Sequence, residues 1–175
     1  LVIDDSAGVP VARTVPGAFL DLVLSAAESD FAAPALMALL KHPLTLLGRP
    51  PAEIRAAARA LERGAFRDIY VGQGLAGVAE ALRAARADGK RRRGAITEEE
   101  HQAAMRLVRD LQAAFTPLIA FYAGPSPHPA TRLAKAHSAT AEALARDETS
   151  SSSGLWRGDA GEALSVLLAE LMAAG

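Results

Sequence analysis

Apolar positions recur three and four residues apart in nearly every long segment of this chain, the spacing that gathers side chains on one face of a helix. After a loop from Pro10 to Val15, Pro16 stands where proline is tolerated, at a helix start. Phe19, Leu20, Val23, Leu24 and Ala27 then follow helical spacing, and Asp30 closes that element. Pro34 opens a second helix carrying Leu36, Met37, Leu39 and Leu40 as far as Lys41-His42-Pro43, where proline breaks it. Leu44, Leu46 and Leu47 predict a short apolar turn before Gly48. Pro50-Pro51 starts a third helix with Ile54, Ala58 and Leu61 on one face and Arg55, Arg59 and Arg63 on another. Leu75, Val78, Ala79 and Leu82 mark a fourth, over Leu75 to Ala87.

Thr97 followed by Glu100 is a capping box, in which each side chain satisfies the other residue's backbone N–H. The helix it opens holds Ala104, Leu107, Val108, Leu111, Phe115, Leu118, Ile119 and Tyr122 in register. About 25 residues at 1.5 Å each give roughly 38 Å, with a kink expected at Pro117, which removes the bond to Ala113. Gly124 to Pro129 reads as a rigid connector, and Ala130 to Arg146 as a helix on Leu133, Ala136, Ala143 and Leu144. Residues 147–158 read as a flexible loop, Ser-rich at its centre, whose far end Leu155-Trp156 anchors. Asp159 and Glu162 open a last helix on Leu164, Leu167, Leu168 and Leu171. The pattern predicts one all-α domain over 1–175, an irregular bundle of about six to eight helices. Leu1-Val2-Ile3 before Asp4 to Gly8 reads as a strand running into a turn, so residues 1–15 look like a strand and loop lead-in from a domain not included.

Composition strengthens the helical reading. Half of the 175 residues are hydrophobic but only 5% are aromatic, so Ala and Leu must fill the core, and both lose little freedom in a helix. The absence of cysteine excludes disulfides, thiolate metal sites and cysteine nucleophiles. No initiator Met, basic n-region or apolar h-region begins the chain, which suits a piece from inside a longer, cytoplasmic protein. The best apolar run, Ala113 to Ala123, is too short for a bilayer, so no membrane partner is expected.

Formal net charge is −1, but residues 51–93 hold ten Lys and Arg against five Asp and Glu, a local excess of five positive charges. Arg55, Arg59 and Arg63, with the basic run Lys90, Arg91, Arg92 and Arg93, are the candidate contacts to DNA phosphates through charge-assisted hydrogen bonds. The competing reading is a solvated, solubilising face.

Other motifs carry less chemistry. Gly72-Gln73-Gly74-Leu75-Ala76-Gly77 matches the dinucleotide pattern G-x-G-x-x-G and follows the strand-like Ile69-Tyr70-Val71. That site needs a second strand after the helix, and here a basic loop and a capping box follow instead. His128 and His137, nine apart, fall on opposite sides of a helix, His42 reads as a polar cap, and His101 reads as exposed in a first turn. They form no ligand set. Glu98-Glu99-Glu100 suits the positive end of a helix dipole better than acid/base catalysis. No nucleophile elbow or phosphate-cradling Gly-Lys-Ser/Thr loop occurs. No catalytic, cofactor or metal residue is therefore assigned, and Trp156 reads as a packing anchor rather than a base-stacking residue.

Several stretches, in order, resemble a known family. Ile3-Asp4-Asp5-Ser6-Ala7-Gly8, Pro16 to Leu20, Leu36 to Leu44, His137 to Leu144 and Leu155 to Ala163 are similar to the AddB subunit of α-proteobacterial AddAB helicase–nucleases. The Leu39-Leu40-Lys41-His42-Pro43 segment also looks like the stretch after which superfamily 1 helicase relatives insert a helical subdomain. The resemblance implies an accessory helical subdomain beside a RecA-like domain, with the rest of the parent chain, an AddA-like motor subunit and DNA as partners. It also implies double-strand break repair as the setting. The iron–sulfur cluster and nuclease motif it implies for the parent would lie outside this segment, and no functional residue carries over. Three readings follow: an AddB-like accessory domain, a protein-interaction domain of unrelated function, and a nicotinamide-dependent enzyme resting on the glycine motif alone.

Overall fold

In a computed structural model, residues 9–67, 73–87, 96–123, 128–148 and 154–174 are described. Seven α-helices carry them: α1 (Val15–Glu28), α2 (Ala33–Lys41), α3 (Pro51–Ala65), α4 (Gly74–Ala87), α5 (Glu98–Tyr122), α6 (Ala130–Leu144) and α7 (Gly158–Ala173). Two 3-10 turns, Val11–Arg13 and Gly154–Trp156, precede α1 and α7. No strand occurs among the described residues, so the all-α expectation holds. The strand-like Leu1–Ile3 and Ile69–Val71, and the Ser-rich centre of the 147–158 loop, lie outside them. The end of that loop is built rather than free. Leu155 in its 3-10 turn is buried, and the Trp156 indole N–H donates to Glu142 Oε1 at 2.8 Å.

The helix ends explain much of the arrangement. Thr14 caps α1, its hydroxyl accepting from the Gly17 N–H at 3.1 Å and donating to the Val11 carbonyl at 2.7 Å. A Cβ on Gly17 would lie 1.9 Å from that carbonyl oxygen, so only glycine lets the 3-10 turn fold back so closely. At the other end of α1, Asp30 and Phe31 are left-handed, with φ of 51° and 60°. Phe31 N–H donates to the Ala26 carbonyl and Asp30 N–H to Ala27, the paired bonds of a Schellman ending. That turn drives Phe31 into the core, edge-on to Phe115 with ring centres 4.9 Å apart.

The turn predicted at Leu44 to Gly48 is present and docks on the end of α6. Leu46 and Leu47 both donate to the Leu144 carbonyl at 2.9 Å, and Gly48 donates to Arg146 at 2.7 Å. Thr45 is buried, its hydroxyl donating to the Leu39 carbonyl at 2.6 Å. Each bond satisfies a backbone group that would otherwise be stranded at a helix end.

α5 is the axis of the bundle and packs against α1, α3, α4 and α6. Of the stripe read from the sequence, Ala104, Leu107, Val108, Leu111, Phe115 and Leu118 are buried, whereas Ile119 and Tyr122 in the last turn are exposed. The helix continues through Pro117 to Tyr122, its full 25 residues. Buried alanines on α3 (Ala57, Ala58 and Ala60) leave room for its neighbours to approach closely. The capping box forms as expected, with Thr97 Oγ1 accepting from the Glu100 N–H at 3.2 Å and Glu100 Oε2 from the Thr97 N–H at 2.8 Å.

His101 departs from expectation. It is buried rather than exposed, because α5 turns that side of its first two turns toward α4 and not toward water. No helix among the described residues is long and apolar enough to cross a membrane.

Candidate functional site

The apolar face of α3 (Ile54, Ala58 and Leu61) is buried, which turns Arg55, Arg59 and Arg63 to solvent in the row the four-residue spacing implies. The N-terminal half of α5 lies alongside. Between them runs a groove of about 860 Å³. Ala56, Phe66 and Ala103 give it apolar surface, and Arg59, Arg63, Arg67 and Arg106 bring four positive charges. Glu62, Glu99 and Glu100 line it too.

Ion pairs divide these charges into two groups. Arg63 is held by Glu100, and Glu62 lies 3.8 Å from Lys41. Glu100 is thus tied twice: the Thr97 backbone N–H first, then Arg63, keep its carboxyl below the usual carboxylate range. Arg59, Arg67 and Arg106 make no ion pair among the described residues, against Glu99 alone on the acidic side. The groove therefore presents three guanidinium groups without an ion pair among the described residues, around partly apolar walls.

The predicted arginine row is consequently only partly a site. Arg63 is a clamp between α3 and α5, and Arg55 is not among the residues that line the groove. Lys90, Arg91, Arg92 and Arg93 lie outside the described residues. Sequence spacing missed Arg67, just past the end of α3, and Arg106, which α5 contributes. Arg67 continues the four-residue interval of Arg55, Arg59 and Arg63 past the last residue of α3, whereas Arg106 joins them only through the packing of α3 on α5.

Glu98-Glu99-Glu100 proves to be a junction. Glu98 pairs with Arg86 of α4, Glu100 with Arg63 of α3, and Glu99 faces the groove. Farther along α5, Asp110 pairs with Arg49 beside a second cleft of about 390 Å³ that Arg146 also lines. The glycine motif has a backbone explanation. Gly74 begins α4 at φ +62°, and Gly77 lies inside the helix. Gly72 is outside the described residues, as is the strand-like segment before it.

The histidines stay apart. His137, buried where α6 meets α1, bonds through Nε2 to the Leu20 carbonyl at 2.9 Å. His42 stacks on Phe19, and its Nδ1 accepts from the Leu44 N–H at 3.3 Å. Burial lowers the pKa of both and of His101, where the Arg86 charge adds to it. Among the described residues no group of three His, Cys, Asp or Glu side chains could hold a metal ion.

A second surface lies on α7. This helix buries only Gly161 and Leu164, while Val166, Leu167 and Leu171 are 57%, 54% and 40% exposed. Leu167 and Leu171, four residues apart, share one side of the helix, and Val166 lies next to Leu167 around it. The chain matches no known protein family, no curated protein and no solved structure.

Proposed function

We propose that this chain is a non-catalytic helical accessory domain that works by scaffolding, holding protein surfaces in a fixed relation within a larger assembly. The observation that carries the reading is α7, which sets Val166, Leu167 and Leu171 in solvent although α6 and α1 pack against its other side. Exposed apolar groups that cluster on one face mark contact surfaces. The resemblance to AddB-like subunits supplies the setting: double-strand break repair, with the rest of the parent chain against α7 and an AddA-like motor nearby. Parent catalysis and its iron–sulfur cluster belong, on this reading, to other segments.

The test is the paired change Leu167→Glu and Leu171→Glu. The unaltered chain is expected to bind an apolar fluorescent dye and to self-associate as its concentration rises, and the variant to do neither while keeping its helical circular dichroism. An unaltered chain that stays monomeric and dye-free would remove the scaffolding reading.

Backbone contact with DNA is the second reading, favoured by Arg55 and Arg59, which are exposed and make no ion pair among the described residues. Neutralising them together with Lys90 to Arg93 should weaken oligonucleotide binding and flatten its dependence on salt, since each phosphate contact releases counterions. Unchanged affinity in that variant would end this reading.

A further inference from the structure

The groove between α3 and α5 goes beyond a generic contact surface, because its charges and its walls select a ligand. Arg59, Arg67 and Arg106 lack ion-pair partners among the described residues and stand around Ala56, Phe66 and Ala103. A guanidinium is weakly hydrated and presents a planar fork that fits a carboxylate or a phosphate. The choice between those two falls to the rest of the lining. A nucleic-acid strand brings a continuous row of negative charge, and Glu62, Glu99 and Glu100 would lie against it. A peptide carries its carboxylates singly and can set neutral positions against those glutamates.

The shape points the same way. Two packed helices lie about 8–10 Å apart, and the furrow between them receives a ridge of side chains from a third. An amphipathic helix in such a furrow lays its apolar stripe on the floor and its charged flanks on the rims. Its carboxylates, spaced by one turn of about 6 Å at four residues, match the interval at which α3 repeats its arginines. We infer that the α3–α5 groove is the docking site for an acidic amphipathic helix of a protein partner, with Arg59, Arg67 and Arg106 receiving its carboxylates and Phe66 its apolar stripe. The inference rests on the scaffolding reading and names one site and one partner chemistry for it.

The probe is a synthetic helical peptide of about 18 residues, five turns, with a glutamate row beside a leucine stripe. Controls are the same peptide with lysine for glutamate and a single-stranded thymidine oligonucleotide. Titration of the full chain is expected to give micromolar binding of the acidic peptide, weakened by added salt, and none of the lysine peptide. Arg59→Glu with Arg106→Glu should weaken the acidic peptide by about tenfold or more, as reversing rim charges does at charged interfaces. Arg132→Glu, on α6, should leave it unchanged. Unaltered helical circular dichroism in the double variant keeps the result readable, since both arginines are exposed.

Three outcomes would overturn the proposal: no acidic-peptide binding at millimolar concentration, binding indifferent to the charge reversals, or an oligonucleotide that binds as tightly and displaces the peptide. Failure here with α7-dependent association intact would remove the groove and leave the scaffold. Loss of α7-dependent association with peptide binding retained would do the reverse.

Discussion

α5 and α7 invite comparison because the more apolar of the two is the less buried. α7 carries three acidic residues and no basic ones in its 16 residues, and Leu, Val, Met or Ala occupies most of the rest. α5 is studded with charge, from Glu98 to Asp110, yet buries eight side chains, including His101. Position in the bundle makes the difference. α5 has neighbours on several sides, so its apolar stripe is covered and its charged residues become clamps, as Glu98, Glu100 and Asp110 do. α7 meets α6, α1 and the 3-10 turn only along one side, and its outward leucines stay in water. Apolarity on its own does not place a residue in a core, because there must be a second surface to bury it against.

If α5 is the axis, truncating its centre should have the largest effect. Phe115→Ala removes a fully buried ring and its edge contact with Phe31, and should cost about 3–5 kcal/mol. Thermal unfolding should then show a midpoint lower by about 10 °C or more. A drop of only a degree or two would mean that α5 is not the axis.

The same experiment on α7 should split between its buried and its exposed leucines. Leu164→Ala, on the buried side, is expected to cost about 2–3 kcal/mol. Leu167→Ala, one turn on and exposed, should stay within about 0.5 kcal/mol. Equal effects would show that the outer face is covered in solution. Gly161→Ala sharpens the point, because a Cβ there would lie 2.6 Å from the Trp156 carbonyl carbon and 2.8 Å from the Leu155 oxygen. Forcing that backbone apart should cost about 1–3 kcal/mol.

Capping effects are smaller. Thr97→Ala leaves the Glu100 N–H without its side-chain acceptor at the start of α5 and should cost about 1 kcal/mol, read as a lower denaturation midpoint at unchanged slope.

The pH dependence concerns the ground between the two helices. His137 on α6 faces α1 and has its pKa lowered by burial, with the Leu20 carbonyl opposing part of that shift. The unfolded chain therefore takes up a proton near the ordinary histidine value, about 6.5, while the folded chain resists until the pH is lower. Stability is fully present above that value and falls as the pH drops below it. His42 and His101 push in the same direction. The melting temperature should decline on acidification from about pH 7 to about pH 5, less steeply in His137→Gln. An identical decline in that variant would assign the effect to other groups.

The sequence was most informative where local chemistry decides. The 3.6-residue period located all seven helices, proline marked the start of α1, α2 and α3, and the capping box placed the start of α5. It was less informative where a local signal took an unusual form. Asp30 fills the left-handed position that glycine usually occupies in a Schellman ending, so the turn that delivers Phe31 to the core left no glycine to read. For the candidate site, the row Arg55, Arg59 and Arg63 was legible as a charged face, but its division into a clamp and a free rim was not.

What the amino-acid order determined by itself is therefore the helices, their caps and the inward stripe of α5, because these depend on contacts within four residues along the chain. Which surfaces remained open was decided only by the tertiary structure. Arg63 and Glu100 are 37 residues apart, and Arg59 and Arg106 are farther apart still. Charges so distant in sequence are paired, or left free to meet a ligand, according to which helix faces pack together.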